Sequence, residues 1–310
     1  MITLYFAAGT QRWTQFEAPL RCALQEVGIE ADLSPHCADP SLVDYIIYAP
    51  DSAVQDFTPF TRCKAVLNLW AGVERIVGNP TLTQPLCRMV DPALTAGMVE
   101  WVLGHTLRHH LGMDRHIVNP DHIWEPSPPP LATERAVTIL GLGALGQACA
   151  RALQGVGFPV KGWSRTQKSL PDITSHHGDE GLKTALSGAE IVVLLLPKTA
   201  ATENIVNAER LTLLAPGAVI LNPGRGHLID DTALLAALDS GALGHATLDV
   251  FRIEPLPKDH PFWAHPQVTV TPHIAAETRP KTAARVVVEN IRRGQAGLPF
   301  LHRVDTTHGY

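Results

Sequence analysis

The sequence predicts an α/β protein built from βαβ units around parallel sheets. Short apolar runs rich in β-branched residues recur along the whole chain, and helix-like segments lie between many of them. One such run passes straight into a glycine-rich turn that opens a helix. With 310 residues the chain is long enough for about two domains, and 45% hydrophobic residues suffice for a full core.

In order, the predicted strands are "MITLYFA", "VDYIIYAP", "KAVLNLW", "AVTILGLG", "PVKGWS", "EIVVLLLP", "GAVILNPG", "HATLDVF" and "QVTVTPH". A helix is expected over Ala148–Gly155. Another is expected over "DDTALLAALDSGAL", with Asp230 or Asp231 as N-cap and Gly241 near the C-cap. "TAGMVEWVLGHTLRHHLGMDRHIV" (95–118) predicts one long helix. The proline-rich "NPDHIWEPSPPPLATER" that follows reads as a loop handing over to a second domain. A last helix, Lys281–Arg293, could return to the first. The expected division is 1–92 plus 277–310, and 93–276.

Bulk properties exclude several functions. The net charge of −5 is mild and no block of like charges appears, which argues against a nucleic-acid partner. The five cysteines are odd in number and none has CxxC spacing, so a disulfide framework is not expected and a reducing cytoplasm fits. The N-terminus lacks a basic segment and reads as a strand, not a signal peptide. No apolar run reaches the roughly 18 residues of a membrane span.

In "ILGLGALGQACARAL", Gly141, Gly143 and Gly146 have GxGxxG spacing directly after a β-run. That context makes the pattern a dinucleotide fingerprint: a tight turn, close approach of a pyrophosphate, and close helix–strand packing. The phosphates would sit at a helix N-terminus, on its free N–H groups. An NAD site would end the next strand with an acid that holds the ribose 2′-OH. "FPVKGWSRTQKSLP" (158–171) contains none and offers Ser164, Arg165 and Lys168, which suit a 2′-phosphate. NADP(H) is therefore expected over NAD(H).

Three charged or titratable residues follow later β-runs: Arg225 in "NPGRG", Glu254 in "DVFRIEPLP" and His273 in "VTVTPH". Ligands of open α/β sheets bind outside the carboxyl ends of strands, so the three could meet there. A guanidinium grips a carboxylate through two parallel hydrogen bonds. A histidine can protonate a carbonyl oxygen while hydride arrives at carbon, and a neighbouring glutamate keeps it charged near neutrality. Such a set suits reduction of a 2-oxo acid to a 2-hydroxy acid. Gly224 and Gly226 would let the backbone bend close to the cofactor.

With these motifs the sequence resembles the D-isomer-specific 2-hydroxyacid dehydrogenases. "GLGALGQACARAL", "LLLPKTAATENIVN", "LLAPGAVILNPGRGHLIDDTALLAALDSGALGHATLDVF", "EPLP" and "VTVTPHIAAETRP" stand in family order over 136–280. "GWSRTQK" and "PLPKDHPFWAHPQVTVTPHIAAETRP" look most like the glyoxylate/hydroxypyruvate reductase branch, which usually prefers NADPH. The resemblance implies two Rossmann-like domains with the active site in the cleft between them, the first flavodoxin-like and substrate-binding. It implies that Arg225 binds the substrate carboxylate, that His273 is the general acid/base and that Glu254 pairs with it. It implies that Asp249 holds the nicotinamide carboxamide. Further cofactor contacts are implied for Ala144, Leu145, Leu196, Pro197, Pro223, Gly224 and Ala275. "LWAGVER" (69–75) matches the loop that touches the substrate, at Trp70, Ala71 and Gly72. The 95–118 helix and the proline-rich loop match the usual homodimer contact.

The sequence departs from the family at two places. Pro223 stands where alanine is common. Trp70 replaces the first glycine of "GAGVD", and Glu74 and Arg75 follow Val73. Rival readings are the same chemistry on a bulkier acid such as phenylpyruvate, and a non-catalytic dinucleotide-sensing interaction protein. His105 and His109 have a spacing that can chelate a metal, but no carboxylate is evident to complete the set. They read as a helix surface or dimer seam, and no metal is expected.

Overall fold

The computed structural model describes residues 1–305; residues 306–310, part of the expected first domain, lie outside the described residues. The strands are β1 (Ile2–Ala7), β2 (Ala31–Ser34), β3 (Tyr45–Tyr48), β4 (Ala65–Asn68), β5 (Leu86–Cys87), β6 (Val137–Leu140), β7 (Val160–Ser164), β8 (Thr174–His177), β9 (Ile191–Leu194), β10 (Ala218–Asn222), β11 (Leu243–Leu248) and β12 (Val268–Val270). The helices are α1 (Thr10–Glu26), α2 (Pro92–His110), α3 (Asp114–Ile117), α4 (Ala144–Val156), α5 (Gly178–Leu186), α6 (Ala208–Leu211), α7 (Asp231–Asp239) and α8 (Pro280–Gln295). The chain forms two compact units, Met1–Leu94 with Glu277–Tyr310, and Thr95–Ala276.

The first unit holds a parallel sheet in the order β2-β1-β3-β4-β5, the flavodoxin order. Its central strands β3 and β4 are buried at every position, which is why "YIIY" and "AVLN" read as apolar runs. Helix α8 starts on Pro280, whose missing N–H costs nothing in a first turn. It lies so close to the sheet that a Cβ on Gly294 would stand 2.3 Å from the Tyr45 hydroxyl. Helix α8 packs along α1.

In the second unit the parallel sheet runs β12-β11-β10-β9-β6-β7-β8. Counted from β6 this is the dinucleotide-binding order with a seventh strand, and it reverses between β6 and β9. Both faces are covered. Val137, Ile139, Val193 and Leu221 pack on one side, and Leu140, Val192, Leu194 and Ile220 on the other.

Several expectations need correction. The 95–118 segment is not one helix: α2 starts at Pro92 and stops at His110, and Gly112, at φ 60°, turns the chain into the one-turn α3. Glycine adopts that left-handed conformation without the steric cost of a Cβ. Helix α4 begins four residues before Ala148, on the glycine loop itself. Asp230 is the N-cap of α7, accepting from Thr232 N and Ala233 N, while Ser240 is the C-cap and the left-handed Gly241 follows it. The polar β8, the two-residue β5 and β2 carry too little apolar pattern to be read as strands.

Candidate active site

The glycine loop is built by close packing. Gly141 has φ 113°, and a Cβ there would meet the Leu195 carbonyl oxygen at 2.5 Å. A Cβ on Gly146 would lie 1.8 Å from the Gly141 oxygen, so only glycine lets α4 start against β6. Gly143 differs: nothing lies within 4 Å of its Cβ position, and it provides no side-chain cap for α4. The first N–H groups of a helix lack intrahelical partners. Those at Ala144 and Leu145 thus begin a helix beside open space, which fits a pyrophosphate.

At the end of β7, Ser164 is buried while Arg165 and Lys168 are exposed. The Ser164 hydroxyl donates to the Thr166 carbonyl at 2.7 Å, so it shapes the turn and would have to rotate to donate to a phosphate. Leu196 and Pro197 follow β9. Leu196 is buried, and the Pro197 carbonyl accepts from the Thr202 hydroxyl at 2.7 Å.

The "NPGRG" turn leaves β10 under the control of Asn222, a buried residue that the sequence reading did not single out. Its Nδ2 donates to the Arg225 carbonyl at 3.0 Å and its Oδ1 accepts from Gly224 N at 3.2 Å. Pro223, with its fixed φ, sits inside this closed turn. The flanking glycines have a packing reason beside the one expected. A Cβ on Gly224 would meet the Leu194 oxygen at 2.7 Å, and one on Gly226 would meet the Phe251 carbonyl carbon at 2.0 Å. Both are glycine because neighbouring strand ends press on them, whatever the cofactor requires. The Arg225 guanidinium donates through Nη1 to the Gly224 carbonyl at 2.7 Å.

The segment after β11 carries Glu254. Arg252 anchors it, with Nη1 2.8 Å from Glu203 Oε1, Nε 3.6 Å from Asp231, and further hydrogen bonds to Asn204 and the Ile229 carbonyl. Sequence reasoning missed Arg252, which carries no motif. Glu254 Oε1 accepts from Phe251 N at 2.8 Å, and Oε2 lies 2.7 Å from His273 Nδ1.

His273 follows β12 at φ 55°, a left-handed conformation costly for a residue with a Cβ. Asp249 holds it there. Its carbonyl accepts from His273 N at 2.8 Å; its carboxylate accepts from the Thr271 hydroxyl at 2.5 Å, Ile274 N at 3.0 Å and Ala275 N at 2.9 Å. A buried carboxylate thus fixes the whole Thr271–Ala275 turn, a role the sequence did not disclose.

The electrostatics join the three groups. The hydrogen bond that His273 donates to Glu254, and then the Glu254 charge, lift the His273 pKa above the usual value, against burial and the Arg225 charge. Burial alone would raise Glu254; the His273 and Phe251 hydrogen bonds and the charges of His273 and Arg225 outweigh it and leave the carboxyl below its ordinary range. With Nδ1 turned to Glu254, Nε2 of the half-exposed imidazole is the atom left for a substrate proton. Arg225, Glu254 and His273 follow β10, β11 and β12, three adjacent strands of the sheet.

In the first unit, the 70–72 loop is tied by the buried Asn68, whose Nδ2 donates to the carbonyls of Trp70 at 2.9 Å and Gly72 at 3.0 Å. The Arg12 guanidinium lies 5.4 Å from the centre of the Trp70 ring and is itself held by both carboxylate oxygens of Asp51. Trp70 therefore has a packing partner within its own unit.

A Rossmann-order sheet with a glycine loop, an arginine and a paired Glu–His is the arrangement of a nicotinamide-dependent oxidoreductase. The chain belongs to the D-isomer specific 2-hydroxyacid dehydrogenase family: residues 102–275 match the model of that family's NAD binding domain. It is 40% identical over 257 residues to glyoxylate/hydroxypyruvate reductase A of Salmonella heidelberg (strain SL476), covering 80% of this chain and 82% of that one. Among solved structures, a D-isomer specific 2-hydroxyacid dehydrogenase from Xanthobacter autotrophicus Py2, in complex with NADPH and MES, superposes with TM-score 0.91. The identity is 39%, over 99% of both chains. The NADPH-dependent glyoxylate/hydroxypyruvate reductase of Sinorhizobium meliloti, in complex with NADP and sulfate, gives TM-score 0.87. Its identity is 34%, over 100% of this chain and 99% of that one.

Among the described residues no helix is long and apolar enough to cross a membrane. The five cysteines are unpaired.

Proposed function

We propose that the chain catalyses NADPH-dependent reduction of a small 2-oxo acid, glyoxylate or hydroxypyruvate, to the D-2-hydroxy acid. The observation that carries this reading is the Glu254–His273 contact of 2.7 Å, with the Arg225 charge acting on both partners. A bound nicotinamide dinucleotide would supply hydride to the carbonyl carbon. The protein's own groups do the rest. Arg225 grips the substrate carboxylate and orients the keto group. His273 Nε2 gives its proton to the oxygen as negative charge develops there, and takes it back in the reverse reaction. Glu254 keeps the imidazole charged beforehand and fixes its ring plane.

The preference for NADPH is supported by the acid-free, basic turn after β7 and by the NADPH and NADP held by the two structural relatives. Gly141, Gly143 and Gly146, with the start of α4, would hold the pyrophosphate. Pro223, Gly224, Asp249 and Ala275 would line the nicotinamide end. Trp70, Ala71 and Gly72 enter the reading as further substrate contacts, on the family resemblance. The names of the relatives favour glyoxylate and hydroxypyruvate over bulkier acids.

The reading includes a homodimer. The segment from Met113 to Leu131 exposes Ile117, Val118, Ile123, Leu131 and Trp124, the last 92% exposed, apolar side chains that a second copy would cover. Unpaired cysteines support a reducing cytoplasm as its location.

The test is a panel of 2-oxo acids from glyoxylate to phenylpyruvate, assayed by oxidation of NADPH and of NADH. Expected is a kcat/KM at least tenfold higher for glyoxylate or hydroxypyruvate than for phenylpyruvate, and higher with NADPH. Equal turnover of simple ketones lacking a carboxylate would overturn the role of Arg225. A preference for NADH would overturn the cofactor assignment.

A further inference from the structure

We propose that His109, Asp114 and His245 form a binding site for one divalent cation of the zinc class. One ligand atom from each lies within 4.8 Å of the other two. The site is built by the helix break described above. Had α2 continued, Asp114, five residues on from His109, would be rotated by about 140° to another face. The turn at Gly112 instead brings Asp114 back, where Arg108 Nε donates to Oδ1 at 2.6 Å. His245 comes from the body of β11, about 13 Å of extended chain upstream of Asp249. The cluster is thus distinct from the Arg225–Glu254–His273 set. It also answers the expectation that no carboxylate completes a set with His109. The second histidine is not His105, whose ring lies against Trp101 with centroids 4.4 Å apart.

The donor chemistry suits a borderline cation. Two imidazoles and one carboxylate make a three-ligand set of the type that leaves a fourth position to water. Each ring is oriented by a threonine: His109 Nε2 lies 2.8 Å from the Thr247 hydroxyl and His245 Nε2 lies 2.8 Å from the Thr269 hydroxyl. With the hydroxyl oxygens accepting, Nε2 carries the proton and Nδ1 presents its lone pair, the arrangement by which outer groups orient metal-bound histidines. Tetrahedral coordination at about 2.0–2.1 Å places donors about 3.4 Å apart, so closure from the present spacing needs side-chain shifts of roughly 1 Å. Arg108 opposes the cation, and Asp114 Oδ2 is the oxygen left for it.

The experiment uses the full chain stripped of metal. It is dialysed against Zn2+ and the bound metal is counted; Co2+ is added separately as a spectroscopic probe. Expected are one equivalent per chain, a rise in Tm with Zn2+, and the intense visible absorption of four-coordinate cobalt. His245→Gln and Asp114→Asn should each weaken binding about tenfold or more, and His177→Gln on β8 should not. Asp114 is half-exposed on a one-turn helix, so its variant stays informative if the β11 substitution unfolds the protein. No retained metal, or binding unchanged in Asp114→Asn, overturns the proposal.

Discussion

Adding one methyl group at Gly226 tests whether backbone packing positions the candidate site. A Cβ there would lie 2.0 Å from the Phe251 carbonyl carbon and 2.4 Å from Arg252 N. Carbon atoms in contact need about 3.5 Å or more. The turn carrying Arg225 and the segment carrying Glu254 must therefore part by roughly 1.5 Å. The Glu254 side resists, because Arg252 ties it to Glu203, Asp231, Asn204 and the Ile229 carbonyl. The displacement falls on the "NPGRG" turn and on Arg225. A misplacement of about 1 Å can cost about 10²-fold in rate, and overpacking costs about 1–3 kcal/mol of stability. Gly226→Ala should lower kcat/KM for the 2-oxo acid about 100-fold and move the urea midpoint down, with NADPH affinity changed only a few-fold. Gly155→Ala, in α4 with nothing within 4 Å of its Cβ, is the contrast. It should leave turnover alone and stabilise by about 0.5–1 kcal/mol. If Gly226→Ala turns over within about threefold of wild type and unfolds at the same urea concentration, the packing argument is wrong.

Other substitutions address single roles. On the proposed mechanism reduction needs His273 protonated, and its raised pKa should extend activity to higher pH. Glu254→Gln removes the charge that raises it, so the alkaline limb of the kcat/KM profile should move to lower pH; an unmoved limb would detach Glu254 from His273. Arg225→Lys exchanges the proposed two-pronged grip for a point charge and should lower kcat/KM about 10- to 100-fold with NADPH binding intact, as titration would show. Asp249→Asn puts an amide N–H against a donor that the buried carboxylate now accepts from. Thermal or urea unfolding should show a loss of about 1–3 kcal/mol.

The parts of the fold legible in the sequence are those whose residues face one environment. "YIIY", "VTIL" and "IVVL" are buried at every position and read as strands. The glycine loop was legible because its chemistry is local, with a turn, an approach and a packing contact inside six residues. Strand β8, "TSHH", was not, because an edge strand pairs on one side only and carries no apolar signature. The break at Gly112 was hidden because the apolar pattern continues across it. In the site, Arg225, Glu254 and His273 stand out by residue type after β-runs. Asn222 and Arg252, and Asp249 in its hold on the Thr271–Ala275 turn, act through partners chosen by the tertiary fold, so nothing nearby in the chain marks these roles. The packing reason for Gly224 and Gly226 was hidden for the same cause: the atoms pressing on them belong to β9 and to the segment after β11.

That Arg225, Glu254 and His273 follow three neighbouring strands bears on how the activity is lost. Adjacent strands stand about 4.8 Å apart because backbone hydrogen bonds set that spacing. The sheet is therefore the ruler for the three proposed reacting groups, and the turns only finish the adjustment. A ruler of this kind does not stretch; it breaks when the sheet opens, and sheet cores open near the global unfolding free energy. Heat should therefore remove activity in step with loss of the fold, with no earlier phase in which a folded protein has drifted out of catalytic register.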